Sequence, residues 1–405
     1  MSTAREAFDV AVIGGGSAGL AAAITAAREG ARTLLLERHG YLGGMGTASL
    51  VHTFCGLYLL RNEPGAVLAN PGFPTEMAER MIAATGLGPV RMGRVDVLPQ
   101  HPVEFVRIAD EMVAAEKLLE LRLHNEVTGI DRNDDWEIRV AGRGGEQAFT
   151  AKALVDASGD AIVAGFLKQD TSFAATLQRP AYVFGIHSPA APSDAIRLAA
   201  AGLLVEGIRA GDLTDEVMGL SFRASGRPGE IFATLDLDGG GPDYDPTESR
   251  CLTALETRGR AVAVKALAWL AGRSDFWRDA YISQWPLRAG VRESRRWIGE
   301  HVLTGAELLA GTRFDDGIAL ATWPMEFREN ARGPKLRYPT SDEPASIPLR
   351  SLKPLGIPGL FVAGRCISTD HDAQASIRVM GTCFATGQAA GRAAVAAVCN
   401  RQASL

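Results

Sequence analysis

Cysteine is scarce in this sequence, with five residues among 405. Cys55, Cys251, Cys366, Cys383 and Cys399 are far apart, and no two of them form a C-x-x-C pair. Structural zinc sites and iron–sulfur clusters need closely spaced thiols, and disulfide frameworks use an even number of them in a small chain. We therefore expect no metal site and no disulfide framework, and the cysteine usage favours a reducing cytoplasm.

Positive charge and long apolar runs are scarce too. The chain has 42 lysines and arginines against 47 aspartates and glutamates, a formal net charge of −5 at pH 7. Nucleic acid is therefore not an expected partner, because binding a phosphate backbone needs a basic surplus. No apolar run is as long as a membrane span, and the run near the N-terminus is broken by Gly14-Gly15-Gly16, which argues against a signal peptide. We expect a cytoplasmic protein that acts on a small molecule.

A glycine-rich motif stands between two apolar runs near the N-terminus. The run Val10–Ile13 leads into Gly14-Gly15-Gly16-Ser17-Ala18-Gly19, an alanine-rich helical stretch follows, and a second apolar run ends at Glu37. This order predicts a βαβ unit with the G-x-G-x-x-G fingerprint of dinucleotide binding. A doubly wound sheet that binds nothing is the alternative.

Each residue type in this motif has a separate task. Gly14 makes the tight turn, Gly16 lets the backbone approach a pyrophosphate, and Gly19 lets the helix pack closely on the strand. The N-terminus of the helix that follows would face the phosphates, where its free N–H groups and its dipole stabilise an anion. Ser17, in the same motif, is predicted to contact the cofactor. Glu37 lies where a carboxylate accepts hydrogen bonds from an adenosine ribose.

A second glycine cluster indicates which dinucleotide is bound. Glu37-Arg38 is followed by Gly43-Gly44-Met45-Gly46-Thr47, which would let backbone approach the middle of a long cofactor, and FAD is longer than NAD. The combination resembles FAD-binding proteins of the glutathione-reductase fold. That resemblance implies that Arg38, Gly43, Gly44 and Met45 hold the ribitol and pyrophosphate of FAD.

The same fold is indicated further along the chain. Ala157-Ser158-Gly159-Asp160 resembles the Ala-Thr-Gly motif that closes the first half of the FAD domain, with Ser158 in place of the usual threonine. The resemblance implies cofactor contacts at Ser158, Gly159 and Asp160, and an adenine contact through the backbone of Val127. A strand over Leu119–Val127 and a hairpin of Trp136–Val140 and Gln147–Thr150 are expected before this motif, and a polar loop is expected later, over Ser368–Gln374.

The chain is long enough for two domains. We predict an α/β fold, in which a Rossmann-like FAD-binding domain, with a parallel sheet covered by helices on both faces, is joined to a substrate domain built on a mixed antiparallel sheet. The predicted ranges are 1–160 and 346–405 for a discontinuous FAD-binding domain, 161–345 for the substrate domain, and 47–100 for an excursion that covers the cofactor.

The C-terminal part of the sequence returns to the sheet. Leu360–Ala363 reads as a strand, Gly364-Arg365 as a turn, and Gly381–Val398 as a helix dense in alanine and glycine. A helix N-terminus near Met380-Gly381 would direct positive partial charge at a buried group, which in flavoproteins is the N1/C2 edge of the isoalloxazine. An ordinary packed terminal helix is the alternative.

Four arginines are concentrated in one short segment. Arg288, Arg292, Arg295 and Arg296 fall at i, i+4, i+7 and i+8, so a helix there would place most of them on one face. Such a face would clamp a carboxylate substrate or contact the cofactor, since guanidinium offers a fixed bidentate fork. A solvated or salt-bridged face is the alternative.

Five segments along the chain resemble the bacterial FAD-dependent oxidoreductase family of the glutathione-reductase fold. They are 290–296, 299–304, 346–352, 361–368 and 378–391. The resemblance makes Arg292 the first choice for a cofactor or substrate contact. The wider superfamily has Gly-Asp where this chain has Gly364-Arg365, so we expect Arg365 to reach the pyrophosphate instead.

The family implies redox chemistry at the flavin. We predict an enzyme that oxidises a small organic molecule by hydride transfer to flavin N5, with His371 as the acid/base or orienting group. A structural role for His371 is the alternative. The chain has no second G-x-G-x-x-G for NAD(P)H, so electrons would leave to oxygen or a carrier.

Two other functions fit the same motifs. One is a single-Rossmann flavin monooxygenase that binds NAD(P)H transiently, and the other is a non-catalytic flavin-binding scaffold. His52 and Cys55, in the excursion, either line the site, carry a covalent flavin link or are simply packed. The sequence leaves the oligomeric state open.

Overall fold

The computed structural model describes residues 6–63, 65–239, 241, 243–330, 333–340 and 343–403. The ends of the predicted FAD-binding domain, 1–5 and 404–405, lie outside this part. The strands are β1 Glu6–Ile13, β2 Thr33–Leu36, β3 Thr53–Phe54, β4 Val90–Met92, β5 Val95–Pro99, β6 Leu119–Arg122, β7 Glu126–Arg132, β8 Trp136–Gly142, β9 Gly145–Asp156, β10 Thr171–Ser172, β11 Ala181–His187, β12 Ser221–Ala224, β13 Glu230–Asp236, β14 Tyr281–Gln284, β15 Arg296–Trp297, β16 Gly317–Leu320, β17 Met325–Phe327, β18 Lys335–Arg337, β19 Ser346–Pro348 and β20 Leu360–Val362.

The helices connect and cover these strands. They are α1 Ser17–Arg28, α2 Phe73–Thr85, α3 Pro102–Ala114, α4 Ile162–Phe166, α5 Asp194–Ala210, α6 Ser249–Ala271, α7 Gly305–Ala310, α8 His371–Ile377 and α9 Met380–Ala403. Within the described part of the chain, no helix has the length and apolar character needed to cross a membrane.

The largest sheet has seven strands. Its order is β6-β2-β1-β9-β8-β7, and β20 pairs with the end of β9 on the same edge as β8. Strands β6, β2, β1, β9 and β20 are parallel, whereas β8 runs antiparallel to both β9 and β7. The apolar residues of β1 and β2 are buried on both faces, as expected for strands covered by helices. The α/β fold class is thereby confirmed.

A four-stranded antiparallel sheet forms the second layer. Its order is β12-β13-β11-β14, and α5 and α6 pack against it. A separate hydrophobic cluster fills the space between sheet and helices, with Tyr182, Phe184 and Trp277 among its buried members. This sheet is the mixed antiparallel part of the predicted fold.

Helices α1 and α9 touch through their backbones. A Cβ added at Gly387 of α9 would lie 2.1 Å from the carbonyl oxygen of Ala18, and one at Gly391 would lie 2.4 Å from that of Ala22. On α1 the contact is made by Ala18 and Ala22, whose side chains are fully or nearly fully buried. Helices α1 and α9 therefore pack at a distance that side chains on the two glycines would prevent.

Three predicted elements differ from the structure. The segment 285–295 contains no helix, so the predicted arginine face is wrong; Pro286 and Gly290 interrupt it, and its side chains bond to separate neighbours. The strand expected over Leu119–Val127 is split into β6 and β7, with His124 at a φ of 55° between them. The loop expected at Ser368–Gln374 contains the start of α8, which Asp370 caps by accepting a hydrogen bond from the Ala373 N–H.

Alanine at Gly387 is expected to destabilise the protein by about 1–3 kcal/mol or more, because the new Cβ would overlap the α1 backbone. The matched control is Gly202→Ala in α5, where an added Cβ meets nothing within 4 Å. The control should gain about 0.4–1 kcal/mol, since alanine restricts the unfolded chain. Calorimetric Tm values at one scan rate compare the two, and an equal Tm for both variants would contradict the close packing of α1 and α9.

Candidate active site and cofactor pocket

A narrow pocket opens at the carboxyl ends of β1 and β2, where nucleotides bind in doubly wound sheets. The loops after β1, β2, β6 and β9 form its walls. Its lining residues are Ile13, Gly14, Gly16, Leu36, Glu37, Arg38, His39, Gly44, Asn125, Glu126, Val127, Ala157, Ser158, Asp160, Ile162 and Arg288.

The two glycine clusters meet in this pocket. The N–H of Gly43 donates to the carbonyl of Gly15 at 2.9 Å, and a Cβ added at Gly44 would lie 2.8 Å from the Cα of Gly16. Gly14 has a φ of +96°, and a Cβ on Gly19 would lie only 1.7 Å from the Gly14 carbonyl oxygen. The pocket floor is thus bare backbone, which leaves N–H groups accessible to a phosphate.

Glu37 ties this floor together. Its Oε2 accepts from the Gly15 N–H at 2.7 Å and its Oε1 accepts from the His39 N–H at 2.8 Å. The side chain is almost completely buried. Each carboxylate oxygen has a second lone pair, so the residue predicted to bind a ribose can do so while it also fixes the glycine loop.

Arg288, one of the four arginines of segment 288–296, supplies a cation to this pocket. Its Nε is buried with no hydrogen-bond partner, and no described carboxylate forms an ion pair with it. Burial and the charge of Arg38 lower the pKa of Arg288, whereas Asp160 raises it. A bound pyrophosphate would satisfy this guanidinium, and the pocket therefore fits a dinucleotide.

An ion pair separates the pocket from a larger cavity. Asp160 Oδ1 accepts from Arg365 Nη2 at 2.5 Å and from the Ser294 hydroxyl at 2.6 Å. The other terminal nitrogen of Arg365 donates to the Val291 carbonyl. Burial alone would raise the pKa of Asp160, but the charge of Arg365 and the Ser294 hydrogen bond outweigh it and lower that pKa. Arg365, expected at the pyrophosphate, is thus held against Asp160.

The larger cavity has a volume of about 420 Å³ and lies between the cofactor loops and the antiparallel sheet. Strands β11, β12 and β13 form one wall, and residues at the start of α9 form another. Its lining residues are Met45, Val51, His52, Thr53, Cys55, Met92, Val95, Val97, Ala181, Val183, Gly219, Ser221, Arg223, Thr234, Val291, Arg292, Trp323, Glu326, Arg328, Gly333, Pro334, Leu336, Arg365, Arg378, Val379 and Met380.

The structure brings most of the predicted site residues to these two spaces. Those that line the narrow pocket are Gly14, Gly16, Glu37, Arg38, Gly44, Val127, Ser158 and Asp160. Those that line the large cavity are Met45, Arg292, Arg365 and Met380. Those that line neither are Ser17, Gly19, Gly43, Gly159, Gly364, Gly381 and His371.

Gly364 and Gly381 allow close contacts between segments. A Cβ at Gly364 would lie 2.8 Å from the Ala18 side chain, and one at Gly381 would lie 2.5 Å from the Gly56 backbone. The N–H of Gly381 donates to the Cys55 carbonyl at 2.9 Å, so this N–H is already paired. Both glycines help to bring the α9 N-terminus to the cavity wall.

Two arginines and two carboxylates form a buried cluster beside the cavity. Asp236 contacts Arg292 at 2.8 Å and Arg328 at 2.6 Å, and Arg328 also contacts Glu326 at 2.7 Å. Burial would raise the pKa of Glu326, but the charges of Arg328, Arg378 and Arg292 lower it to about 2. Glu326 is therefore ionised at neutral pH and the four charges balance.

The four arginines of segment 288–296 point to different places. Arg288 lines the pocket, Arg292 lines the cavity, and Arg296 is buried against Glu293 at 2.5 Å. Arg295 lies near Gly165, where an added Cβ would be 3.8 Å from its Nη1. Helical spacing could not reveal this divergence, because the segment is not helical.

His371 is joined to Glu293, a residue to which the sequence gave no role. The Nδ1 of His371 lies 2.9 Å from Glu293 Oε1, and its Nε2 lies 3.4 Å from Glu329 Oε1. The hydrogen bond to Glu293 raises the pKa of His371, although burial opposes it. Arg296, on the same carboxylate, also lowers that pKa. This geometry holds the imidazole in a fixed place outside the cavity lining.

The sequence matches the model of one protein family, described as FAD dependent oxidoreductase, over residues 9–404. The chain belongs to the FAD dependent oxidoreductase family. It is therefore a redox enzyme whose cofactor is FAD, as the motifs predicted. The finer assignment to the glutathione-reductase fold stays a prediction.

Individual similar proteins add information on the fold. Two uncharacterised proteins, from Mycobacterium tuberculosis and Mycobacterium bovis, are 36% identical over 106 residues, which is 24% of this chain and 19% of theirs. The match thus spans about a fifth of the length of these relatives. A geranylgeranyl bacteriochlorophyll reductase-like protein from Thermoplasma acidophilum is 12% identical, with a TM-score of 0.53 over 98% of this chain and 80% of that one. This likeness shows the fold alone.

Replacing Arg288 with glutamine is expected to weaken FAD binding about tenfold or more, because a charge-assisted hydrogen bond to the pyrophosphate is lost. FAD dissociation constants from fluorescence of the released flavin would measure this change. Arg278→Gln is the control, since Arg278 is exposed and pairs with Asp275 on the surface. Equal FAD affinity in both variants would remove Arg288 from the pocket's binding residues.

His371→Asn is expected to lower Tm more at pH 5.5 than at pH 9. Because the pKa of His371 is raised above its ordinary 6.5, its protonated form stabilises the fold fully below that value, and this stability is lost as pH rises through the raised pKa. Calorimetry of wild type and variant at both pH values gives the comparison. A Tm difference independent of pH would show that the ion pair with Glu293 does not stabilise the fold.

Proposed function

We propose that this enzyme oxidises a small organic molecule held in the large cavity. When bound, FAD would accept a hydride at N5 and pass the electrons on to oxygen or a carrier. The observation that carries the proposal is the position of the cavity, which adjoins the cofactor loops through Met45 and the start of α9 through Met380. Its volume of about 420 Å³ is ample for a small organic substrate.

The cofactor's adenosine end is proposed to occupy the narrow pocket. Glu37 would accept hydrogen bonds from the ribose, Val127 would meet the adenine, and the glycine backbone with Arg288 would hold the pyrophosphate. The flavin end would then reach the cavity beside Met45 and Met380, in an arrangement like that of the glutathione-reductase fold. Asp160 lines the pocket and Arg365 lines the cavity, so their ion pair places the two spaces side by side, which supports this placement.

The predicted substrate domain, 161–345, is proposed to build the far wall of the cavity. Val183 of β11, Ser221 of β12 and Thr234 of β13 all line it, and these strands belong to the antiparallel sheet. The excursion 47–100 contributes His52, Thr53 and Cys55 to another side. Side chains from these segments would exclude water from a substrate that lies against the flavin.

His371 remains our proposed proton-handling or orienting group. It lies one residue after the Asp370 cap of α8, and the same helix carries Gln374, whose Nε2 donates to the Arg292 carbonyl at 2.8 Å. His371 would thus be linked through Gln374 of the same helix to Arg292, which lines the cavity. Glu326 is unsuited to donate a proton near neutrality, because it stays ionised with a pKa of about 2.

Anaerobic titration of the FAD-bound protein tests the proposal. A panel of alcohols, amines and hydroxy acids is expected to include a compound that removes the oxidised-flavin absorbance, whereas NADH and NADPH should leave it unchanged. The control is the same titration with heat-denatured protein, which corrects for free flavin. Rapid bleaching by NADH or NADPH would contradict the proposal and favour the monooxygenase class.

A further inference from the structure

The charges that line the large cavity do not balance. Among its described lining residues are five arginines and one glutamate. Two further carboxylates lie directly behind the lining: Asp236 contacts Arg292 and Arg328, and Asp160 contacts Arg365. With Glu326 paired to Arg328, these contacts neutralise three of the five arginines. Arg223 and Arg378 are left without a described carboxylate partner.

Arg378 lies on the side of the cavity proposed for the flavin. It is two residues before Met380, where α9 begins, and its Nη2 donates to the Glu326 carbonyl oxygen at 3.0 Å. Its Nε is buried with no hydrogen-bond partner. Burial lowers the pKa of Arg378 to about 10, so it is still charged at pH 7. This position suits the edge of the isoalloxazine that gains negative charge on reduction.

Arg223 lies on the opposite wall. It belongs to β12 of the antiparallel sheet, and its Nη1 lies 3.1 Å from a neutral atom, the Sδ of Met92. It lines both the large cavity and an adjoining one of about 160 Å³. Burial lowers its pKa, as expected for a cation with little compensation. A half-buried guanidinium with no described carboxylate partner gains stability when an anion binds to it.

The remaining surface of the cavity is mainly apolar. Val95, Val97 and Trp323 belong to one hydrophobic cluster on its wall, and Val183 and Leu336 line other parts. A bare inorganic anion would leave this surface without a partner. An organic body with one negative group satisfies both the apolar walls and the cation.

We propose that the substrate of this cavity is an organic carboxylate, and that Arg223 is the residue that binds its carboxylate group. The inference rests on the function proposed above, because it places the substrate between Arg223 and the flavin. The guanidinium of Arg223 offers two parallel N–H donors to the carboxylate, and Arg378 serves the cofactor at the other wall.

Binding to the oxidised, FAD-bound enzyme tests this assignment without turnover. Benzoate is the probe, and benzamide is its neutral isostere. Isothermal titration at fixed ionic strength is expected to show benzoate binding at least about tenfold tighter than benzamide. Perturbation of the flavin absorbance by benzoate gives a second readout that places the probe near the cofactor.

Variants then identify the cation. Arg223→Gln should abolish the preference for benzoate, and Arg223→Lys should retain part of it because the charge remains and the planar fork is lost. Arg378→Gln should keep the preference while it shifts the flavin reduction potential. Arg227→Gln is the control, since Arg227 follows the same strand but pairs with Glu104 outside the cavity, and it should bind benzoate like the wild type.

Two results would overturn the proposal. One is a result with the wild type, either equal binding of benzoate and benzamide or no benzoate binding at millimolar concentration. This result does not depend on the folding of any variant. The other is a preference for benzoate that survives Arg223→Gln and disappears in Arg378→Gln. Failure of the redox function is separate, because it would appear as a flavin that no substrate reduces while benzoate binding stays intact.

Discussion

The structure depends on close backbone contacts at glycines, where a side chain would not fit. Gly19 lies against the Gly14 carbonyl, Gly44 lies against Gly16, and Gly387 lies against Ala18. The first two contacts form the floor of the narrow pocket, and the third fixes the helix whose N-terminus reaches the cavity. A methyl group at any of these positions would push apart the segments that line the pocket and the cavity.

Buried charge is the second organising feature, and part of it is paired within the protein while part of it is not. Asp160 with Arg365, and Asp236 with Arg292 and Arg328, are compensated pairs that neutralise the wall between pocket and cavity. Breaking one partner of such a pair leaves a charge in a medium that solvates it poorly. Arg223, Arg288 and Arg378 have no described carboxylate partner, and they line the two spaces in which the cofactor and the substrate are proposed to bind.

Much of the fold followed from local sequence patterns. The βαβ unit around Gly14–Gly19, the hairpin after Trp136 and the return through Leu360–Val362 all carry periodicity or glycine signals that act within a few residues. The helix prediction for the arginine segment was wrong because it counted helical spacing without tertiary contacts, which hold 285–295 in an irregular conformation. The sequence analysis gave no role to Asp236, Glu293 or Arg223 for a related reason. Each of them contacts residues that are distant in the sequence, and a local motif does not predict such contacts.

The contact between α1 and α9 also has a consequence for folding. Helix α1 buries its alanine surface against α9, although the two helices lie far apart in the sequence. Closing the loop between such distant segments costs entropy that is recovered only when their contact forms. We therefore expect the two helices to dock late in folding, so that the alanine-rich surface of α1 stays exposed until α9 covers it.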